Sequence, residues 1–233
     1  MKASTHTITS KKKLPVLLFH KIGPDGISLK KLESVLHKLN QRHFSPILPS
    51  DFAKTSPLPA RPVLLFFANG YRTFFTLAYP LLKKYGLKAA VGLPVGLIGK
   101  YDAWQNAEAG PWQDLLTKED LKLLGKDKNI YFISQGIDNA APQRMDQANA
   151  CWQISESKAR LERMYDIKTQ ALFFPKENLQ ESTVLEEAQT HYSFIIQKGK
   201  RKNFLDPAQL FLHIFPVRCS TWIWWLLFKI KQH

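Results

Sequence analysis

Short apolar runs alternate with amphipathic stretches along this chain from Leu14 onward. Pro15–Phe19 is a continuous apolar run of strand length that ends at His20. A turn rich in glycine and proline (Gly23, Pro24, Gly26) follows. Leu29, Leu32, Val35, Leu36 and Leu39 then recur at helical spacing, with Ser28 placed to cap the first turn. Ser45–Leu48 reads as a short strand, and the proline-rich stretch 57–62 as a connector. The run 62–67 is a buried strand, and a helix is predicted over 72–85. Phe74, Phe75, Leu77, Ala78, Leu81 and Leu82 make its buried face, and Pro80 should kink it.

The alternation continues. Leu87–Leu93 is the next strand, followed by a long loop that carries Trp104 and Trp112. Thr117 caps a short helix over 118–124, with Asp120 at the capping-box position. Asn129–Ser134 is a strand, 147–165 a charged helix, Ala171–Phe174 a strand, 180–190 a helix and His191–Ile196 a strand. A basic loop, Lys198–Lys202, precedes a last apolar strand near 210–215. Strands alternating with helices imply an α/β fold with a mainly parallel sheet. Working groups in such folds sit at the carboxyl ends of the strands. The ends that stand out are His20, Ala68-Asn69, Gln135–Asn139 and Pro175-Lys176.

Composition narrows the picture. With 233 residues, 45% of them hydrophobic, the chain can form one large domain with a sizeable core. Its division is expected to be a basic disordered lead over 1–13, a domain over 14–218 and an apolar, basic tail over 219–233. The net charge of +14 implies attraction to an anionic partner, such as a phospholipid surface or a phosphorylated glycan carrier. Basic residues are scattered apart from Lys11–Lys13 and Lys198–Lys202, and no nucleic-acid module is present, so specific nucleic-acid binding is not expected. Cys151 and Cys219 lie too far apart in sequence to suggest a disulfide framework or a zinc ribbon. The run Leu14–Phe19 is too short for a signal peptide, and no stretch reaches the roughly 18–20 apolar residues of a membrane span. A cytoplasmic location is expected. The tail TWIWWLLFKIK has the tryptophan and lysine pattern of a membrane-interface segment, which allows peripheral attachment to the anionic inner face of the membrane. The alternative is a terminal helix that closes the bottom of the fold.

The segments PVLLFHKI, SLKKLESVLHKLNQRHFSPILPSDF and RPVLLFFANGYRTFFTLAYPLLKKYGLKAAVGLPVGLIG together resemble the polysaccharide deacetylases with the NodB-type domain, carbohydrate esterase family 4. The resemblance runs from Leu14 to about Arg218. It implies a distorted (β/α) barrel and a metal-dependent hydrolase that removes acetyl groups from N-acetylated sugars. Members of the family carry an Asp-Asp pair as base and metal ligand, a His-x-x-x-His motif that completes the metal site, and a later proline motif. Here the base position is Ala68 and the metal-ligand positions are Asn69, Gln135 and Asn139. The proline motif falls on FFPKEN, which keeps Pro175 and places Lys176 and Glu177 beside it. The late Leu-x-x-His strand corresponds loosely to Leu210–His213.

These substitutions bear on the chemistry. A catalytic zinc takes three ligands from imidazole, carboxylate or thiolate, with an open position for water. Neutral amides at all three positions leave no charge to balance a dication, so no metal cofactor is expected. Loss of a general base alone typically costs roughly 10²–10⁴ in rate. The expected function is therefore non-catalytic: binding a glycan or lipid-linked sugar in surface-polysaccharide metabolism, with contacts from Tyr71, His20, Lys176, Trp104, Asp138 and His213. One alternative is an active deacetylase with zinc in a site rebuilt from His20, Asp138 and His213. Another is an interaction protein at the membrane surface.

Overall fold

The computed structural model describes residues 14–23, 25–52, 58–104, 111–139, 145–174, 183–197 and 214–216. Lys176, His213, the lead 1–13 and the tail 219–233 lie outside the described residues. Strand β1 spans Val16–Phe19, helix α1 Leu29–Gln41, β2 Ser45–Pro46, α2 Pro49–Phe52 and β3 Pro62–Phe67. Helix α3 (Tyr79–Tyr85) leads to β4 (Ala89–Leu93), and α4 (Lys118–Leu124) to β5 (Ile130–Ser134). Helix α5 (Gln147–Tyr165) precedes β6 (Ala171–Phe174), α6 (Thr183–His191) precedes β7 (Phe194–Gln197), and β8 is Ile214–Pro216. The sheet runs β7-β6-β5-β4-β3-β1-β8, with β2 attached to β3, and every pairing between these strands is parallel. This is the curled parallel sheet with helices outside it that defines the distorted (β/α) barrel.

Period-2 alternation along the strands divides the core. Leu14, Val16, Leu18, Leu64, Phe66, Ala90, Ile133, Ala171, Phe173, Phe194 and Ile196 form the inner cluster. Within it the rings of Phe66 and Phe173 meet edge to face at 4.8 Å. Leu17, Phe19, Val63, Leu65, Phe67, Val91 and Leu93 face the other way, into a layer shared with the buried faces of α1, α3 and α4. A third cluster lies beneath α5 and α6, from Leu172 and Phe174 to Ile154, Leu185 and Tyr192.

The helices start where their caps permit. Ser28 Oγ accepts the N–H of Lys31 at 3.3 Å, and Leu32, Val35, Leu36 and Leu39 are buried. Leu29, expected on the same stripe, is 39% exposed. At α4, Thr117 and Asp120 form the reciprocal capping box. Asp120 also pairs with Arg72 at 3.1 Å, which ties the rim to this helix. The helix predicted over 72–85 opens with a π-turn over Phe74–Ala78, closed by the N–H of Tyr79 on the carbonyl of Phe74. Pro80 has no N–H to give to the preceding turn, so the widened turn falls where the kink was predicted. Helix α2 was not expected from the sequence; it is a single turn held by Asp51, whose carboxylate accepts the Leu48 N–H and the Lys88 ammonium, each at 2.9 Å. Helix α6 extends through His191, placed in a strand by the sequence pattern, and the imidazole meets Glu187 at 2.8 Å one turn earlier.

Where β5 ends, its last residue is anchored by a buried hydroxyl network. Ser134 Oγ donates to Ser157 Oγ at 2.9 Å, and the Tyr192 hydroxyl lies 3.1 Å from the same Ser157. Burial pushes the Tyr192 phenol above its ordinary value of 10.0, outweighing the hydrogen bonds that lower it. A phenol raised in the folded state ionises first in the unfolded chain. Its contribution to stability is therefore intact below about pH 10 and is lost as pH rises through the folded value. Denaturant titrations at neutral and strongly alkaline pH should show a loss of stability that is smaller in Tyr192→Phe. At neutral pH this variant is expected to cost about 1 kcal/mol for the lost hydrogen bond.

Candidate functional site

The strands of the sheet end at one rim, and the alternation of the inner cluster carries four positions inward there: His20, Ala68, Gly92 and Gln135. The chain leaves β3 through Ala68, whose N–H still bonds the Phe19 carbonyl at 2.8 Å and whose methyl is buried in the inner cluster. Asn69 and Gly70 follow at φ 72° and 62°. Asparagine is one of the few L residues that adopt this left-handed region readily, and glycine does so freely. The consecutive left-handed residues turn the chain off the sheet and leave the Asn69 side chain at the mouth.

An amide network assembles from this turn and from the end of β5. The Gln135 N–H bonds Leu93 at 2.9 Å, and its side chain is almost fully buried. Gln135 Oε1 accepts the backbone N–H of Asn69 at 2.6 Å. That donor fixes the orientation of the carboxamide, and Gln135 Nε2 then donates to Asn69 Oδ1 at 3.2 Å and to Asn139 Oδ1 at 3.1 Å. Asn139, itself left-handed at φ 62°, donates from Nδ2 to Asn69 Oδ1 at 3.4 Å. Asn69 Nδ2 lies 3.3 Å from His20 Nδ1, which accepts. The structure thus brings Asn69, Gln135, Asn139 and His20 into one cluster. Asp138 is exposed on the same turn, and Ala68 supplies no polar side-chain atom.

The donor set does not fit a zinc-type dication. Each carboxamide oxygen of the trio already accepts an N–H, and the cluster carries no carboxylate or thiolate. Among the described residues no group of His, Cys, Asp and Glu is gathered in a way that could hold a metal. The network presents a neutral, hydrogen-bonding floor.

The mouth is walled by a loop that the sequence did not resolve. Residues 99–102 and 113–116 pair as an antiparallel ribbon, with Gly99 bonded to Leu116, Leu115 to Lys100 and Asp102 to Gln113. Tyr71 bridges to Leu115, which sets the ribbon against the rim. Asp102 is fully buried, and its carboxylate meets Lys21 Nζ at 3.1 Å and the Gln113 N–H at 2.6 Å. Lys21 also sits 5.3 Å from the ring centroid of Tyr71. Tyr71 is only 2% exposed, and its ring packs at 6.2 Å from that of Trp104. Both residues, named from the sequence as sugar contacts, are thus packed on one another, and Tyr71 shapes the wall from beneath. The clasp of Lys21 and Asp102 carried no sequence signal, because its partners are 81 positions apart.

Gly92 is a further participant that sequence reasoning missed, although a lone glycine inside an apolar strand is the usual sign of a close approach. A Cβ added there would lie 2.1 Å from Gln135 Oε1. Gly92→Ala should therefore expel the Gln135 carboxamide, break its bond to the Asn69 N–H and destabilise the protein by about 1–3 kcal/mol. Denaturant melts would measure the loss, and amide exchange at Asn69 should accelerate.

Comparison with known proteins agrees with this fold. No protein-family model matches the chain. In sequence it is 26% identical over 209 residues to the "Putative polysaccharide deacetylase YxkH" of Bacillus subtilis (strain 168), covering 86% of this chain and 70% of that one. In structure it is similar to IcaB from Ammonifex degensii, with a TM-score of 0.76 and 18% identity over 95% of this chain and 98% of that one. The deacetylase PplD of Streptococcus pyogenes, solved with acetate, gives a TM-score of 0.72 and 17% identity over 89% and 94% of the two chains. A de-N-acetylase from Aggregatibacter actinomycetemcomitans gives 0.74 and 14% over 92% and 99%. The chain thus has the fold of the polysaccharide deacetylases, and in sequence it is similar to a protein of that name.

Proposed function

We propose that this protein has kept the barrel and mouth of a deacetylase while giving up metal-dependent hydrolysis, and that it binds a glycan or lipid-linked sugar at the mouth. One observation carries the reading: Asn69, Gln135 and Asn139, at the positions the resemblance assigns to the metal, spend their carboxamide oxygens on one another and on a backbone N–H. A hydrolytic centre needs a charged donor set and a proton acceptor. Ala68 has no group to accept a proton, and the amides are already paired. What the cluster offers instead is neutral hydrogen bonding to hydroxyl and acetamido groups, under a wall stiffened by a buried ion pair.

The test uses the full chain supplemented with zinc. Elemental analysis is expected to find metal far below one equivalent, and N-acetylated oligosaccharides should stay acetylated. Calorimetry with the same oligosaccharides should still register binding. Stoichiometric zinc with deacetylation would overturn the reading in favour of a rebuilt catalytic site. An absence of both metal and sugar binding would overturn the glycan part of it.

A further inference from the structure

Tyr101 and Trp112 are the two most exposed aromatic residues among the described ones, at 55% and 52%. They lie at the outer end of the ribbon beside the mouth. Tyr101 pairs with Asp114 across the ribbon, the N–H of Asp102 bonds the carbonyl of Gln113, and Trp112 is the next residue beyond that pair. Alternation then places Tyr101, Asp114 and Trp112 on one face, with Asp102, Gln113 and Leu115 on the other. The second face is buried or tied down: Asp102 pairs with Lys21, Gln113 Nε2 donates to Asp25 at 2.8 Å, and Leu115 is 2% exposed. A buried ion pair thus holds in place a short ribbon whose outward face shows an aromatic ring, a carboxylate and a second aromatic ring.

We propose that this outward face is a second sugar subsite, taking the ring faces of a neutral or N-acylated glycan chain that extends from the amide cluster. The inference rests on the glycan-binding reading above. The chemistry favours sugar over other occupants. The apolar C–H face of a hexose packs on an aromatic ring, and its hydroxyls donate to a carboxylate placed between two such rings. Asp114 disfavours an anionic bilayer or a polyanion at the same spot. Trp112 lies three positions, or about 10 Å of extended chain, beyond Leu115 at the rim, so a single sugar at the cluster would not reach its ring. The ligand is therefore a chain of several sugars.

The experiment is calorimetry with the disaccharide and the hexasaccharide of N-acetylglucosamine, on the full chain and on Tyr101→Ala, Trp112→Ala and, as an exposed control on α5, Trp152→Ala. Both ribbon side chains are more than half exposed, so the variants should fold, which circular dichroism checks. The wild type is expected to bind the hexasaccharide more tightly than the disaccharide. Tyr101→Ala and Trp112→Ala should each weaken the hexasaccharide by up to about tenfold and leave the disaccharide unchanged. The control should change neither. Hexasaccharide binding that is equal in all four proteins would overturn the subsite and leave the glycan reading standing. Failure of the wild type to bind either sugar would overturn both.

Discussion

Strand β3 is covered on both faces, and the mouth of the barrel depends on where that strand stops. Its inward residues, Leu64 and Phe66, fill the sheet's concave side, and its outward residues, Val63, Leu65 and Phe67, lie in the layer of α1 and α3. A strand buried on both sides cannot slip in register without turning each of these side chains into the wrong layer. The ladder to β1, from Val16 against Leu64 to Phe19 against Phe67, fixes the height of Ala68 and so of the left-handed turn at Asn69.

From that fixed height the amide network follows. The Asn69 N–H points across to β5, and the space vacated by Gly92 lets the Gln135 carboxamide meet it. The carboxylate and two imidazoles that the resemblance implies at these positions would turn lone pairs toward one point and would need a cation there. Three carboxamides need none, since each carries both donors and acceptors. The site is thus self-satisfied, which accounts for the burial of Gln135 without cost to the fold. The price is chemical: a network closed on itself offers hydrogen bonds at its edge and no nucleophile at its centre.

The wall is built on a different principle. Asp102 is buried and its charge is met by Lys21, so breaking this pair would leave a carboxylate stranded in the interior. The cost of separating the pair keeps the ribbon at the rim. Rigidity on the inner face is what makes the exposed rings of the outer face available as a surface rather than as part of the core.

Much of the fold was legible in the sequence because it depends on local periodicity. The apolar run of β3, the helical spacing of Leu32, Val35, Leu36 and Leu39, and the capping box of Thr117 and Asp120 are each written within a few neighbouring residues. The chemistry of the mouth was legible in part, since Ala68, Asn69, Gln135 and Asn139 are by their identity uncharged at those four positions. Contacts between distant segments were not legible. Nothing near Trp104 says that it packs on a buried Tyr71 while Trp112 stays exposed, and nothing near Lys21 names Asp102. The sequence determined the elements, their order and the neutral character of the site, because propensity and residue chemistry are local. Only the tertiary structure decided which amide donates to which and which face of the ribbon is open, because those depend on the register of parallel strands brought together from far apart in the chain.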